Sequence, residues 1–148
     1  MFNKENVLIS ACFLGVYCRY DGKNNSLKRL EELMDKYNLI PVCPEIMGGL
    51  GIPREPAEIF EDKVVNSSGE NVTEFFERGA RETLKLARLY NSKCAILKER
   101  SPSCGYGKVY DGTFSGTLIE GSGMTADLLI RNGIRVLGES QIEKLLIP

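Results

Sequence analysis

The sequence contains no histidine. That absence excludes serine–histidine–aspartate and cysteine–histidine nucleophilic machinery, and with them the His-ligated zinc hydrolase sites. Any acid–base work falls to carboxylates, tyrosine, lysine, cysteine, serine or water. Nor is there an excess of charge: 19 Lys and Arg stand against 20 Asp and Glu, a net −1. Without a basic footprint, no nucleic-acid partner is expected. No stretch approaches the roughly 20 apolar residues of a membrane-spanning helix, so no membrane partner is expected either. The Gly-rich stretches contain neither G-x-G-x-x-G nor a phosphate-binding G-x-x-x-x-G-K loop, which leaves nucleotide-phosphate binding without support.

Cysteine is present, but not in the patterns that would make it structural. There are five, an odd number, with no C-x-x-C pair; the nearest two, Cys12 and Cys18, have five residues between them. A secreted disulfide framework and a thioredoxin-like redox motif are both disfavoured, and a reducing, cytoplasmic location is expected. The run Ile9-Ser10-Ala11-Cys12 looks like a lipoprotein cleavage box. However, only Val7 to Ala11 precede that cysteine as an apolar run, and Lys4 and Glu5 precede them. A signal peptide needs about 7–15 apolar residues.

With 148 residues, 43% of them hydrophobic, the chain can bury the core of one domain spanning 1–148. Short apolar runs at 6–11, 38–43, 94–98 and 134–137 read as strands. Helices are expected from a Ser26 cap through Leu27, Leu30, Leu33, Met34 and Tyr37, over 72–91, around 125–131, and from Gln141 with a Ser140/Glu143 capping box. The long segment from Pro44 to Asn71 reads as helix-free, with a small hairpin turning near Glu61-Asp62, and a β excursion is expected over Lys108 to Leu118. Strands alternating with helices imply an α/β fold: a single Rossmann-like domain, mainly parallel, with helices on both faces and Gly/Pro-rich loops at the strand C-terminal ends.

Three cysteines sit at strand exits inside tight turns: Cys12 after Leu8-Ile9-Ser10-Ala11, Cys43 before Pro44-Glu45, and Cys104 in Ser101-Pro102-Ser103-Cys104-Gly105. Open α/β sheets bind ligands just outside the carboxyl ends of their strands, so the three thiols are expected on one rim, sharing a metal or cluster. Structural zinc prefers paired C-x₂₋₄-C ligands, whereas iron–sulfur clusters are thiolate-held, normally by four cysteines. Three would leave an open iron, and Cys18 is either a fourth ligand or part of a substrate loop. Cys94, at the head of an apolar strand, reads as a small buried hydrophobe. Glu45 is a candidate proton shuttle beside the thiols. Ser101 and Ser103 can bind substrate or close their turn, and Arg54 and Arg19 lie on loops suited to a polar ligand.

Five motifs taken in order carry a further resemblance: Ser10-Ala11-Cys12-Phe13-Leu14-Gly15, Cys18-Arg19-Tyr20-Asp21-Gly22, Val42-Cys43-Pro44-Glu45, Pro53-Arg54-Glu55-Pro56-Ala57-Glu58 and Ser101-Pro102-Ser103-Cys104-Gly105. Across roughly residues 6 to 137 the chain resembles the thiouracil desulfidases, long grouped as domain of unknown function 523. The resemblance implies an enzyme that removes sulfur from 2- or 4-thiouracil to give uracil and sulfide. Its cofactor would be a [4Fe-4S] cluster held by Cys12, Cys43 and Cys104, with the fourth iron free for substrate sulfur. Glu45 and Ser101 would be the catalytic helpers, and the partner a small thiolated nucleobase. Two other readings make different predictions. A thiol-redox protein works without iron, and a sulfur-carrier or metal-binding protein holds its group without turnover.

Overall fold

The strand β1 (Glu5–Ser10) is apolar on both faces, and both are covered. Val7 and Ile9 pack into one core and Leu8 into another, all three fully buried. This is what a parallel sheet between two helical layers demands of its strands. The computed structural model describes residues 3–147; Met1, Phe2 and Pro148, at the ends of the expected 1–148 domain, lie outside the described residues.

β1 pairs in parallel with β2 (Tyr37–Val42) on one side and β5 (Cys94–Ile96) on the other, and β8 (Arg135–Leu137) extends the sheet beyond β5. The order is β2-β1-β5-β8. Counted along the chain this is 2-1-3-4, the flavodoxin arrangement rather than the 3-2-1-4 of dinucleotide-binding Rossmann domains. The expected α/β class holds, and the Rossmann label fits only loosely. One face is covered by α3 (Thr73–Leu89) and α4 (Met124–Arg131), whose Leu84, Ala87, Ala126 and Leu129 pack with Leu8 and Ala95. The other is covered by α1 (Leu30–Lys36) and α5 (Glu143–Leu146) through Leu33 and Leu145. Two antiparallel hairpins stand outside this sheet: β3 (Ala57–Phe60) with β4 (Lys63–Asn66), and β6 (Lys108–Tyr110) with β7 (Leu118–Glu120).

Three expectations of local structure need correction. The first helix starts at Leu30, not after Ser26, whose hydroxyl donates to Asn24 Oδ1 at 3.0 Å instead of capping; Met34 is exposed and Tyr37 already belongs to β2. Asx-turn chemistry at Asn24 outcompetes the cap. The Pro44–Asn71 segment is not helix-free, because α2 (Pro44–Met47) forms a single turn whose proline presets the first helical φ. Finally, the Ser140 backbone N–H goes to Glu99 Oε1 at 2.6 Å, and Gln141 Oε1 accepts the Gly138 N–H at 3.1 Å. A 3₁₀ turn over Glu139–Gln141 therefore replaces the Ser140/Glu143 box. Among the described residues no helix is long and apolar enough to cross a membrane.

Candidate active site

The sheet order reverses between β1 and β5, so their onward connections leave in opposite directions and open a crevice at the carboxyl edge. Beyond Ser10 the chain tightens into a 3₁₀ turn over Ala11–Leu14, which carries Cys12; Gly15 closes it at φ 90° with its N–H on Cys12 O at 3.2 Å. Cys43 precedes the first turn of α2, which carries Glu45. That turn lies directly against α3 because both contacts are glycine. A Cβ at Gly48 would sit 2.0 Å from Phe75 O, and one at Gly79 2.0 Å from Pro44 O. Cys104 ends the Ser101–Cys104 turn. The carbonyls of Pro102 and Ser103 in that turn accept the N–H groups of Met124 (2.9 Å) and Thr125 (2.8 Å), supplying the partners that the first turn of α4 lacks. Both neighbours of the turn must be glycine, since a Cβ at Gly123 would meet Ser103 C and O at 2.5 Å and one at Gly105 would meet Ser101 O at 2.7 Å.

These elements enclose a cavity of about 640 Å³, lined by the thiols Cys12, Cys18, Cys43 and Cys104. Glu45, Arg54 and Ser101 share its wall. Arg54 Nε is 2.7 Å from Glu45 Oε2, and Arg54 Nη2 donates to Cys18 O at 3.0 Å. Ser101 Oγ lies 3.5 Å from Glu45 Oε1, toward which it donates, and it accepts the N–H groups of Ser103 and Cys104, each at 3.1 Å. One hydroxyl thus closes the turn and faces the carboxylate. Ser103 lies behind the wall rather than on it: it is 1% exposed, and its Oγ pairs with Thr125 Oγ1 at 3.1 Å. Cys94 sits away from the cavity, packed against the core on the α1 and α5 face.

All five cysteines are free. Cys18 is buried beside Cys12 and Cys43, and Cys43 Sγ donates to the Cys18 carbonyl at 3.8 Å. The neighbouring Cys18 thiol is the main cause that lowers Cys12 and Cys43 to about 7 from the ordinary 9.0, against the opposing effect of burial. Asn25 adds a donor, with Nδ2 3.3 Å from Cys12 Sγ. The same contacts push Cys18 far up, and burial pushes Cys104 up as well. Among the described residues, no three His, Cys, Asp or Glu side chains are grouped to hold a single metal ion. The donor chemistry on offer is three thiols from three separate chain turns plus one spare. Such a set suits a thiophilic polynuclear cluster, in which each thiolate takes a different iron.

Several cavity residues escaped the sequence reading. Asn25 stood in an undifferentiated polar loop, and Lys98 passed as the end of a strand; its ammonium pairs with Glu139 Oε2 at 2.5 Å while the side chain lines the cavity. Tyr110 and Phe114 add aromatic surface to that of Tyr20, which lies on the loop already singled out through Arg19. Phe114 did carry a signal: a lone aromatic in a Gly/Ser/Thr turn has no packing reason to be there.

Known proteins resemble this chain in fold and in sequence. A solved structure of a [4Fe-4S]-dependent thiouracil desulfidase, TudS, superposes with a TM-score of 0.91 at 43% identity, covering 96% of this chain and 95% of that one. The uncharacterized protein YbbK of Bacillus subtilis is 45% identical over 150 residues, 95% of this chain and 99% of its own length. The sequence profile of the 2-thiouracil desulfurases matches residues 7–141, which takes in every strand exit that bears a thiol, and the chain belongs to that family.

Proposed function

We propose that this chain, acting as one domain, is a [4Fe-4S]-dependent desulfidase that converts a thiolated pyrimidine base such as 2- or 4-thiouracil to uracil and sulfide. The observation that carries the reading is the meeting of Cys12, Cys43 and Cys104 in one cavity with the Arg54-bound carboxylate of Glu45. Cys12, Cys43 and Cys104 would hold the cluster. When bound, it supplies a soft Lewis-acidic iron for the thiocarbonyl sulfur.

The chain's own groups perform the rest. Arg54 fixes Oε2 of Glu45 and thereby aims Oε1 toward Ser101 and the cavity. A water held between Oε1 and the ring would lose its proton to Glu45 as its oxygen attacks the carbon that bears sulfur. The carbon–sulfur bond then breaks, sulfur departs as sulfide, and no net oxidation or reduction occurs. Ser101 orients the carboxylate and the water, and its grip on two N–H groups keeps its hydroxyl in place. Cys18 and Asn25 donate toward sulfur and favour the thiolate forms that a metal group needs.

The test is anaerobic reconstitution followed by assay with 2- and 4-thiouracil. About four irons and four acid-labile sulfides per chain, with uracil and sulfide formed in equal amounts, are expected. A folded protein without iron that still acts on thiols would overturn this reading in favour of redox chemistry.

A further inference from the structure

Phe114 is a bulky residue in the left-handed region, at φ 57°, in the turn between β6 and β7. It is 40% exposed, yet it lines the cavity together with Tyr20 and Tyr110. A non-glycine residue stays in that region only where its surroundings over-determine it, and such outliers concentrate at ligand clamps. Here the surroundings can be named. Glu58, on β3, accepts the backbone N–H of Phe114 at 3.1 Å and that of Gly112 at 3.0 Å through one oxygen, Oε1. Gly112, at φ 94°, lets the turn lie on β3, since a Cβ there would sit 2.8 Å from both Ile59 O and Phe60 Cβ. Asp111 Oδ1 takes the N–H of Thr113 at 2.9 Å and its hydroxyl at 2.6 Å. The third aromatic is tied to the approach to β3 by the Arg54 N–H on Tyr20 O, at 2.8 Å.

We infer that Glu58 is a positioning residue whose carboxylate clasps the Gly112–Phe114 turn, so that Phe114, with Tyr20 and Tyr110, forms an aromatic face on which a planar heterocycle stacks. That the heterocycle is a thiolated pyrimidine rests on the function proposed above. Stacking engages the face of the ring and not its sulfur, so it holds substrate and desulfurised product alike. Such uniform binding sets KM and product inhibition and leaves kcat alone.

The experiment uses the cluster-loaded enzyme, with steady-state kinetics on 4-thiouracil and calorimetric binding of uracil, which has no sulfur to ligate. Phe114→Ala is expected to raise KM and the uracil Kd by a similar factor of about ten, as for loss of one stacked base, with kcat within about twofold. Phe114→Tyr keeps the flat ring and stays near wild type. Glu58→Ala raises the same two constants several-fold, and Glu58→Gln, which retains an acceptor oxygen, restores most of the loss. The double variant Glu58→Ala/Phe114→Ala is no worse than Phe114→Ala alone, because the two act through one contact. Wild-type KM and uracil Kd in Phe114→Ala would overturn the aromatic face, and full additivity in the double variant would overturn the clasp. If Glu58→Ala fails to fold, the same cycle with Phe114→Ala is run on Glu58→Met, which keeps the length of the side chain and removes the acceptor oxygen, while Phe114→Ala decides the aromatic face. A cluster-loaded wild type that leaves thiouracil untouched overturns the desulfidase reading instead, and needs no variant to show it.

Discussion

Arg54 holds Glu45 by a 2.7 Å contact from Nε to Oε2, with side chains only 9% and 17% exposed. Two charges so far out of water depend on each other, and removing one leaves the other stranded. Arg54→Ala is therefore expected to cost about 3 kcal/mol in denaturant unfolding of the cluster-free protein. Arg54→Lys should recover only part of this, since an ammonium cannot serve Glu45 and the Cys18 carbonyl in the same planar geometry. Desulfidation should fall by more than a hundredfold in both, as it should in Glu45→Gln.

The proposed ligation divides the thiols into Cys12, Cys43 and Cys104 on one side and Cys18 and Cys94 on the other. Cys12→Ser, Cys43→Ser and Cys104→Ser should each lose most iron and acid-labile sulfide after reconstitution, and all activity with it. Cys94→Ser lies in the core away from the cavity and should keep both. Cys18→Ser should retain about four irons, because the proposed ligands are Cys12, Cys43 and Cys104. An iron count near three or below in Cys18→Ser would make it a ligand.

In the cluster-free protein, alkylation should report the shared proton of the Cys12–Cys18–Cys43 trio. The folded chain lowers Cys12 and Cys43 from 9.0 to about 7 through the Cys18 S–H. Cys18 has one proton to give, so one thiolate of the pair forms first. Iodoacetamide labelling of Cys12 or Cys43 should rise as pH climbs through about 7, and Cys18→Ala should move that rise toward 9. The sign for stability follows. A lowered thiol stabilises the fold fully above 9.0, and that contribution is lost as pH falls through about 7. Cys104, raised by burial, should resist labelling across the same range.

Gly79→Ala should act at a distance. Its Cβ would fall 2.0 Å from Pro44 O, so α2 must move, and Glu45 moves with it. A loss of about 1–3 kcal/mol in stability is expected, with a further drop in kcat measured where the variant is fully folded. Gly69→Ala gives the contrast in space alone: its added Cβ meets nothing within 4 Å, although φ is 83° there.

How well the sequence foretold each part depended on how local its cause was. The strand exits at Cys12 and Cys43 were readable because apolar runs stop where turn residues begin. The Glu61-Asp62 turn was readable because two β-rich runs flank it. Ser26 and Ser140 misled because each has a nearer or stronger hydrogen-bond offer, from Asn24 and Glu99, that spacing rules do not weigh. The Glu45–Arg54 pair bridges two of the recognised motifs, yet nothing in either motif says that they touch. Glu58 was harder still, since its partners are backbone N–H groups 54 and 56 residues away.

The two hairpins belong to neither helical layer and pair with no strand of the main sheet. Their tips can lengthen, shorten or change sequence without altering the register of β1, β2 or β5, on which the thiol turns depend. On the aromatic-face proposal, Tyr110 and Phe114 place ring contacts on these hairpins, while the thiols stay on the frame. Acceptance of bulkier or differently shaped rings should be reachable by rebuilding residues 57–66 and 108–120 together with Tyr20, leaving the turns that carry Cys12, Cys43 and Cys104 as they stand.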